Sequence, residues 1–338
     1  MNFIKKKFSN YYKKLIQNIF KILYGNINSS IEPNEENNIE VKNISIQDIN
    51  YKIYICNNSS LYTDTIHDTA IIKNNKIIDG PSFQYRLNKN VSCQLNSVFS
   101  KGTPRFKKKI KGQVLSLLTG GGGNSNYWHW LLDVLPRLEI IKKLDIDNMI
   151  DYYLFPSLDK KFQEQTLDII NLPFKKRLSS KNFRHFSADK ILVTSHPYTL
   201  LNNPNLDSLN IPIWISNFLR YTFKEKAIEK SKIRSFPEKI YINRKDSTLS
   251  NSRYIVNLID VEAMLENYGF KSLTMSDFNF SDQVALFSNA KQVIGLHGAG
   301  FANIIFCKEK CKIIEMKSDT AGDVIKNLAV SNNLNYQD

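Results

Sequence analysis

The last third of the chain constrains the fold most. Short apolar runs there alternate with segments of helical period: KIYINR (239–244), YIVNLIDVEAMLENYG (254–269), FKSLTM (270–275), SDQVALFSNA (281–290), KQVIGL (291–296), GFANIIF (300–306) and CKIIEM (311–316). A strand reaches a parallel neighbour only through a crossover long enough to hold a helix, so strand, helix, strand, helix, strand at these lengths predicts a parallel, Rossmann-like sheet. Gly269 is placed to close the first helix. In such sheets ligands gather where strands end and helices begin.

The preceding part has a mixed texture. YKIYIC, TAIIKNNKII and QVLSLL, between residues 50 and 118, are β-branched runs separated by Asn, Gly and Pro, and they read as strands and hairpins. Helical stripes and strands alternate from there on: a helix over about 125–143, a strand at 151–155, a helix near 159–170, a strand at 190–195 and a long helix over 211–227. At 338 residues the chain can bury two cores. The expected organisation is a basic amphipathic helix (1–25), a polar linker (26–45), an N-terminal α/β domain (46–212) and a C-terminal Rossmann-like domain (213–338). Among 338 residues the excess of Lys, Ile and Asn is read as a nucleotide bias of the source and given no functional weight.

A net charge of +14 implies attraction to polyanions, whether nucleic acid, an anionic membrane or phosphorylated small molecules. The lysines of MNFIKKKFSNYYKKLIQNIFKILYG interrupt its apolar residues too often for a secretory signal. Ile4, Phe8, Tyr11, Leu15, Ile19 and Ile22 or Leu23 fall at helical spacing, which suits a helix lying on an anionic leaflet, or an ordinary helix packed on the protein body. No apolar run is long enough to span a bilayer. RFKKKIKG (105–112) reads as a solvated turn rather than a binding patch. Nucleic acid is not expected as a partner, since no nucleic-acid motif accompanies the charge. Cys56, Cys93, Cys307 and Cys311 are expected as free thiols of a reducing compartment; the CxxxC pair has no second pair at zinc-ligand spacing.

Three motifs bear on chemistry. In GLHGAGFANIIF (295–306), glycines flank His297 between a strand and a helix start. Gly298, Ala299 and Gly300 can bring backbone amides to a phosphate, His297 can add a donor and Asn303 can orient the loop; a tight turn with a structurally satisfied histidine is the other reading. The nucleophile elbow that would make this loop an esterase oxyanion hole is absent, as are P-loop and dinucleotide fingerprints. In NYWHWLLDVLPRL (126–138), His129 and Asp133 are four apart, and Asn126, Trp130, Asp133 and Arg137 form an adjoining row on a helix that Pro136 should loosen. Arg244 and Arg253 follow a strand and precede a helix; two guanidiniums suit a diphosphate, although surface arginines would also fit a polar loop. The D-x-D of residues 145–147 looks like a solvated turn, so no metal site is expected.

NYWHWLLDVLPRL, INRKDSTLSNSRYIVN with YGF, and FSNAKQVIGLHGAGFANIIF ending in KIIEM together resemble the inverting glycosyltransferases of family 61, in their bacterial capsular-polysaccharide branch, over about 113–317. The resemblance implies a GT-B architecture, two Rossmann-like domains facing a cleft, with a nucleotide-sugar donor held by the C-terminal one. It implies a single inverting displacement that passes a sugar, expected to be UDP-linked, to a hydroxyl of a surface polysaccharide or lipid-linked glycan. Asp133 would be the general base, with His129 as orienter or substitute. Arg244, Arg253, His297 and the amides after Gly298 would stabilise the leaving diphosphate, and Glu315 would accept from ribose hydroxyls. No cofactor beyond the donor is expected, and a cytoplasmic location, peripheral on the inner membrane face, is. The competing expectation is a binding component of a polysaccharide assembly complex without turnover. Only a short stretch follows Met316, which suggests a last domain that is abbreviated or completed by a partner.

Overall fold

The computed structural model describes residues 2–36, 38–64, 68–82, 93–118, 125–198, 210–246 and 253–338, with the side chains of 2–8 and 147 outside that description. The chain forms two compact units: residues 1–124, 133–158 and 174–205 make the first, and residues 125–132, 159–173 and 206–338 the second. Segments 125–132 and 159–173, expected with the N-terminal domain, thus cluster with the C-terminal residues.

The first unit contains β1 (Ser30–Ile31), β2 (Ile39–Ile46), β3 (Ile49–Thr63), β4 (Thr69–Lys73), β5 (Lys76–Ile78), β6 (Lys108–Ser116), β7 (Tyr152–Phe155), β8 (Arg177–Ser179) and β9 (His185–Thr194). They form one sheet in the order β1-β5-β4-β3-β9-β6-β7-β8, with β2 also on β3. The β9-β6-β7-β8 side is parallel, whereas β3 runs antiparallel to β2, β4 and β9. The Rossmann-like texture expected for this half is therefore confined to one side of a mixed sheet. The stretch expected as linker holds β1 and most of β2. Glu40, Lys42 and Asn43 give it a polar composition, and only Ile39 and Ile46, at the two ends of β2, are buried.

Two hairpins close tightly on consecutive residues of positive φ. Gln47 and Asp48 (φ 48° and 64°) join β2 to β3, and Asn74 and Asn75 (φ 49° and 59°) join β4 to β5. That pairing matches the right-handed twist of the strands, and asparagine tolerates it better than most residues. Tyr54, Leu61, Ile71, Val114, Leu154, Phe186 and Ile191 build the main core of this unit. The N-terminal helix Asn2–Tyr24 belongs to it too. Among the described residues no helix is long and apolar enough to cross a membrane.

The second unit holds β10 (Lys239–Ile242), β11 (Lys271–Leu273), β12 (Gln292–Leu296), β13 (Lys312–Met316) and β14 (Asn335–Gln337). They form a parallel sheet in the order β11-β10-β12-β13-β14, as the spacing predicts for the first four. Tyr241, Leu265 and Ile294 pack on one face under helix Leu258–Asn267. Elsewhere in the unit, Phe223 of helix Ile213–Lys230, Phe280 of helix Phe280–Asn289 and Phe306 stack edge to face at 5.5 and 6.0 Å. The short stretch after Met316 contributes helix Val324–Ser331 and the edge strand β14. All four cysteines are buried and free. Burial pushes the Cys56 thiol up to about 12, which keeps it unreactive.

Candidate functional site

In the second unit, the chain leaves β10 for β11 on one side and leaves the neighbouring β12 for β13 on the other, so the connections after these two adjacent strands run in opposite directions. Open parallel sheets bind ligands at such a switch point, outside the carboxyl ends of the two strands. A cavity of about 650 Å3 lies there, lined by Asn243 and Arg244 after β10, Gly298, Ala299 and Gly300 after β12, and Lys160, Lys161 and Tyr127 from the two inserted segments. Its volume is in the range of small-molecule sites.

The HGAG loop is built by close approach. A 3-10 helix begins at Ala299 and runs to Phe306, and Gly298 before it is extended (φ 174°), a conformation open to any residue. What requires glycine there is space, since a Cβ on Gly298 would stand 2.4 Å from Nη1 of Arg244. A Cβ on Gly295 would press on Ile242 at 3.1 Å, so that glycine sets the approach of β12 to β10. The tight turn expected from glycine φ freedom is thus replaced by steric clearance for a neighbouring guanidinium.

That guanidinium donates from Nη1 to the His297 carbonyl at 2.9 Å, and Arg253 donates to the same oxygen at 3.3 Å. Both arginines therefore meet at the loop. Burial lowers the pKa of Arg244, the Arg253 charge lowers it further, and Asp246 partly offsets them. Two cations converging on one carbonyl leave a local excess of positive charge, which an anion would relieve.

His297 is held from behind. Its Nδ1 bonds the Glu315 carboxylate, and Tyr336 donates its hydroxyl to the other oxygen of Glu315 at 2.7 Å. Burial, then the bond to Glu315, raises the Tyr336 pKa, so the phenol keeps the proton it donates. A carboxylate on Nδ1 fixes the ring and selects the tautomer that bears hydrogen there. Glu315 is buried, with one oxygen on His297 and the other on Tyr336.

Asn303 orients the loop through a longer polar ladder than the sequence suggests. Tyr127 donates to its Oδ1 at 2.7 Å, and its Nδ2 reaches Gln283 at 2.9 Å and the Gly300 carbonyl at 3.3 Å. Gln283 continues to the carbonyls of Met275 and Phe278. Tyr127, Gln283, Lys160 and Lys161 were missed in the sequence. Tyr127 lies inside the motif 126–138, between residues that do carry a signal, whereas nothing local ties residues 159–173 to a sheet that begins at Lys239.

The motif 126–138 does not form one regular helix. Residues Tyr127–His129 are α-helical, Trp130–Val134 widen into a π-helical turn, and a new α-helix starts at Pro136, so the expected loosening takes the form of a π-turn. Asn126 caps the first segment by accepting from the Trp128 amide at 2.9 Å, and half-buried His129 ends it. Trp130 is buried in the second unit and donates Nε1–H to Thr166 at 2.9 Å. Asp133 and Arg137 belong to the first unit. Asp133 is 2% exposed, accepts from the Tyr198 hydroxyl at 2.7 Å and lies 3.6 Å from Nε2 of His196. Arg137 bonds the Asp133 carbonyl through Nε and the Thr194 carbonyl through Nη1. Burial pushes the Arg137 pKa down to about 10 against the opposing pull of Asp133 and Tyr198.

The profile of the family described as Glycosyltransferase 61 matches residues 127–314, a span that takes in the Asp133 cluster, both arginines and the HGAG loop. A comparison with curated proteins gives no match.

Proposed function

The chain belongs to the glycosyltransferase 61 family, and from that premise we propose that it transfers a sugar, with inversion, from a UDP-linked donor to a hydroxyl of a bacterial surface polysaccharide or lipid-linked glycan. The observation that carries the donor assignment is the pair Arg244 and Arg253 on the His297 carbonyl, of which Arg244 lines the switch-point cavity. There the diphosphate would accept from both guanidiniums, from His297 and from the amides of Ala299 and Gly300, all of which stabilise charge that grows as the sugar leaves. Lys160 and Lys161 add positive charge to the cavity wall. This supply of cations supports a transfer that needs no divalent ion; activity abolished by chelator and restored by manganese would overturn that part. The proposal takes the two units as a GT-B pair.

Asp133 is proposed as the general base that removes the acceptor proton, with His129 as its orienter or substitute. Asn126, Trp130 and Arg137 hold their segments in place through the cap, the Thr166 bond and the Thr194 bond. With UDP-sugars as substrates, Asp133→Asn should lower kcat by about 10²- to 10⁴-fold while UDP affinity survives. Equal loss of both sinks the assignment.

One observation favours a second reading, a protein that holds nucleotide or glycan without turnover. The Asp133 carboxylate is enclosed by Tyr198, His196 and Arg137 in the manner of a structural cluster. Calorimetric titration with UDP, GDP and CMP, repeated on Arg253→Ala, tests the donor site common to both. Preference for one diphosphate, lost in the variant, is the expected result.

A further inference from the structure

Twelve of the chain's 46 lysines and arginines fall in two short stretches, residues 1–31 and 101–111, and none of its 32 acidic residues does. Nearly the whole net charge of +14 therefore resides there. The two stretches are far apart in sequence, but the first unit brings them together. Phe20 and Phe106 meet edge to face at 5.1 Å, Tyr24 accepts from the Lys107 amide at 2.9 Å, and Lys21 donates to the Ser100 carbonyl at 2.8 Å. The Lys107 ammonium also sits 4.9 Å over the Tyr24 ring.

These contacts use only one side of the N-terminal helix. Tyr11, Tyr12, Leu15, Ile19, Ile22 and Leu23 are exposed. At about 100° per residue they share about 120° of arc, and Phe20 and Tyr24 lie outside it. Against Phe20, at the border of that arc, Phe106 is 78% exposed, and Lys107, Lys108 and Lys109 are exposed as well, the Lys108 ammonium donating to the Asn182 carbonyl at 2.8 Å. Single exposed apolar residues are ordinary in proteins, but six large ones sharing one arc of a helix whose charged residues are all lysines mark an interaction surface.

We propose that this composite face, the apolar arc of helix Asn2–Tyr24 together with Phe106 and Lys107–Lys109, docks the first unit on an anionic lipid bilayer. The apolar side chains enter the boundary between headgroups and acyl chains, and the lysines contact headgroup phosphates. The basic run 105–111, read from the sequence as a solvated turn, becomes the second half of a binding surface. A second copy of the chain is a poor occupant, because a two-fold contact would set this cationic face against itself. Nucleic acid would satisfy the lysines but leave Ile19, Ile22 and Leu23 without a partner. The inference is independent of the sugar-transfer reading.

The test is co-sedimentation of the full chain with vesicles of phosphatidylcholine, and of phosphatidylcholine containing about one part in three phosphatidylglycerol. Partitioning at least about tenfold stronger onto the anionic vesicles is expected, weakening as salt rises. Leu15→Asp with Ile19→Asp should lose that tenfold, and Phe106→Ser with Lys108→Glu, outside the helix, should lose several-fold. All four positions are exposed, and the second variant gives up only the Phe106 contact with Phe20 and the Lys108 bond to the Asn182 carbonyl, so melting temperatures within a few degrees of wild type should accompany both losses. Equal partitioning onto both vesicle types overturns the proposal, as does full binding by the Phe106/Lys108 variant. Binding to random duplex DNA without binding to either vesicle overturns it too, and assigns the face to a polyanion instead.

Discussion

Gly298 shows how a residue can be required for what it lacks. Its backbone is extended and unstrained, yet the place of its missing Cβ lies 2.4 Å from the Arg244 guanidinium. Because the obstructed atom ends a flexible side chain, Gly298→Ala should displace Arg244 rather than unfold the protein. Expected are a melting temperature within a few degrees of wild type and a loss of about tenfold or more in UDP affinity, the scale of one charged hydrogen bond. Unchanged affinity would show that Arg244 has no part in holding the diphosphate. Tyr336→Phe tests the support of His297: one Glu315 oxygen is left without its donor in a buried position, so UDP affinity should fall by about three- to tenfold. A purely structural Tyr336 would lower the melting temperature and leave the affinity in place. His297 and Asn303 were legible because they sit in a glycine-rich loop at a strand end, and Arg244 because it directly follows a strand. Tyr336 was not, because its partner Glu315 is 21 residues away and its own segment, NYQ, has no strand pattern.

The elements from β10 to β13 were read within a few residues of their observed bounds, since each strand and helix there shows its period locally. Misreadings cluster where neighbours decide the structure. β1 and β2 exist because β5 and β3 pair with them, and nothing in a polar stretch reports such a partner. The asparagines set aside as compositional bias also have a conformational use: six of the ten non-glycine residues with positive φ among the described residues are Asn. Asn171 and Asn333 end helices as Gly269 does, with paired bonds from the two residues after the last turn. Gly269 isolates that effect. Its φ is +79°, and nothing stands within 4 Å of its missing Cβ, so Gly269→Ala costs only backbone strain. The expected loss is about 1 kcal/mol in chemical denaturation, and Gly269→Asn should lose less.

At the scale of the whole molecule, acid sensitivity and chain connectivity follow from the same architecture. Burial pushes the His185 pKa down from 6.5 to about 4, with a smaller push from Lys107 against the bond to the Arg105 carbonyl. The unfolded chain then takes up the proton first, so stability is full above pH 6.5, falls as pH drops toward 4, and levels off below. The contribution at stake is about 2–3 kcal/mol. His185→Gln should flatten that part of the melting temperature against pH, and an unaltered slope would assign it to other groups. Connectivity governs how the protein is made. A ribosome that has released residue 205 has delivered every segment of the first unit, but 125–132 and 159–173 have emerged well before β10, the first strand of the sheet they join. Trp130 and Leu167, buried in the finished protein, must wait in the open until roughly the last third of the polypeptide appears, which makes the nascent chain a client for chaperones. Nor can the gene be cut between the units: a fragment starting at residue 206 lacks the tryptophan, the tyrosine and both lysines that those early segments supply.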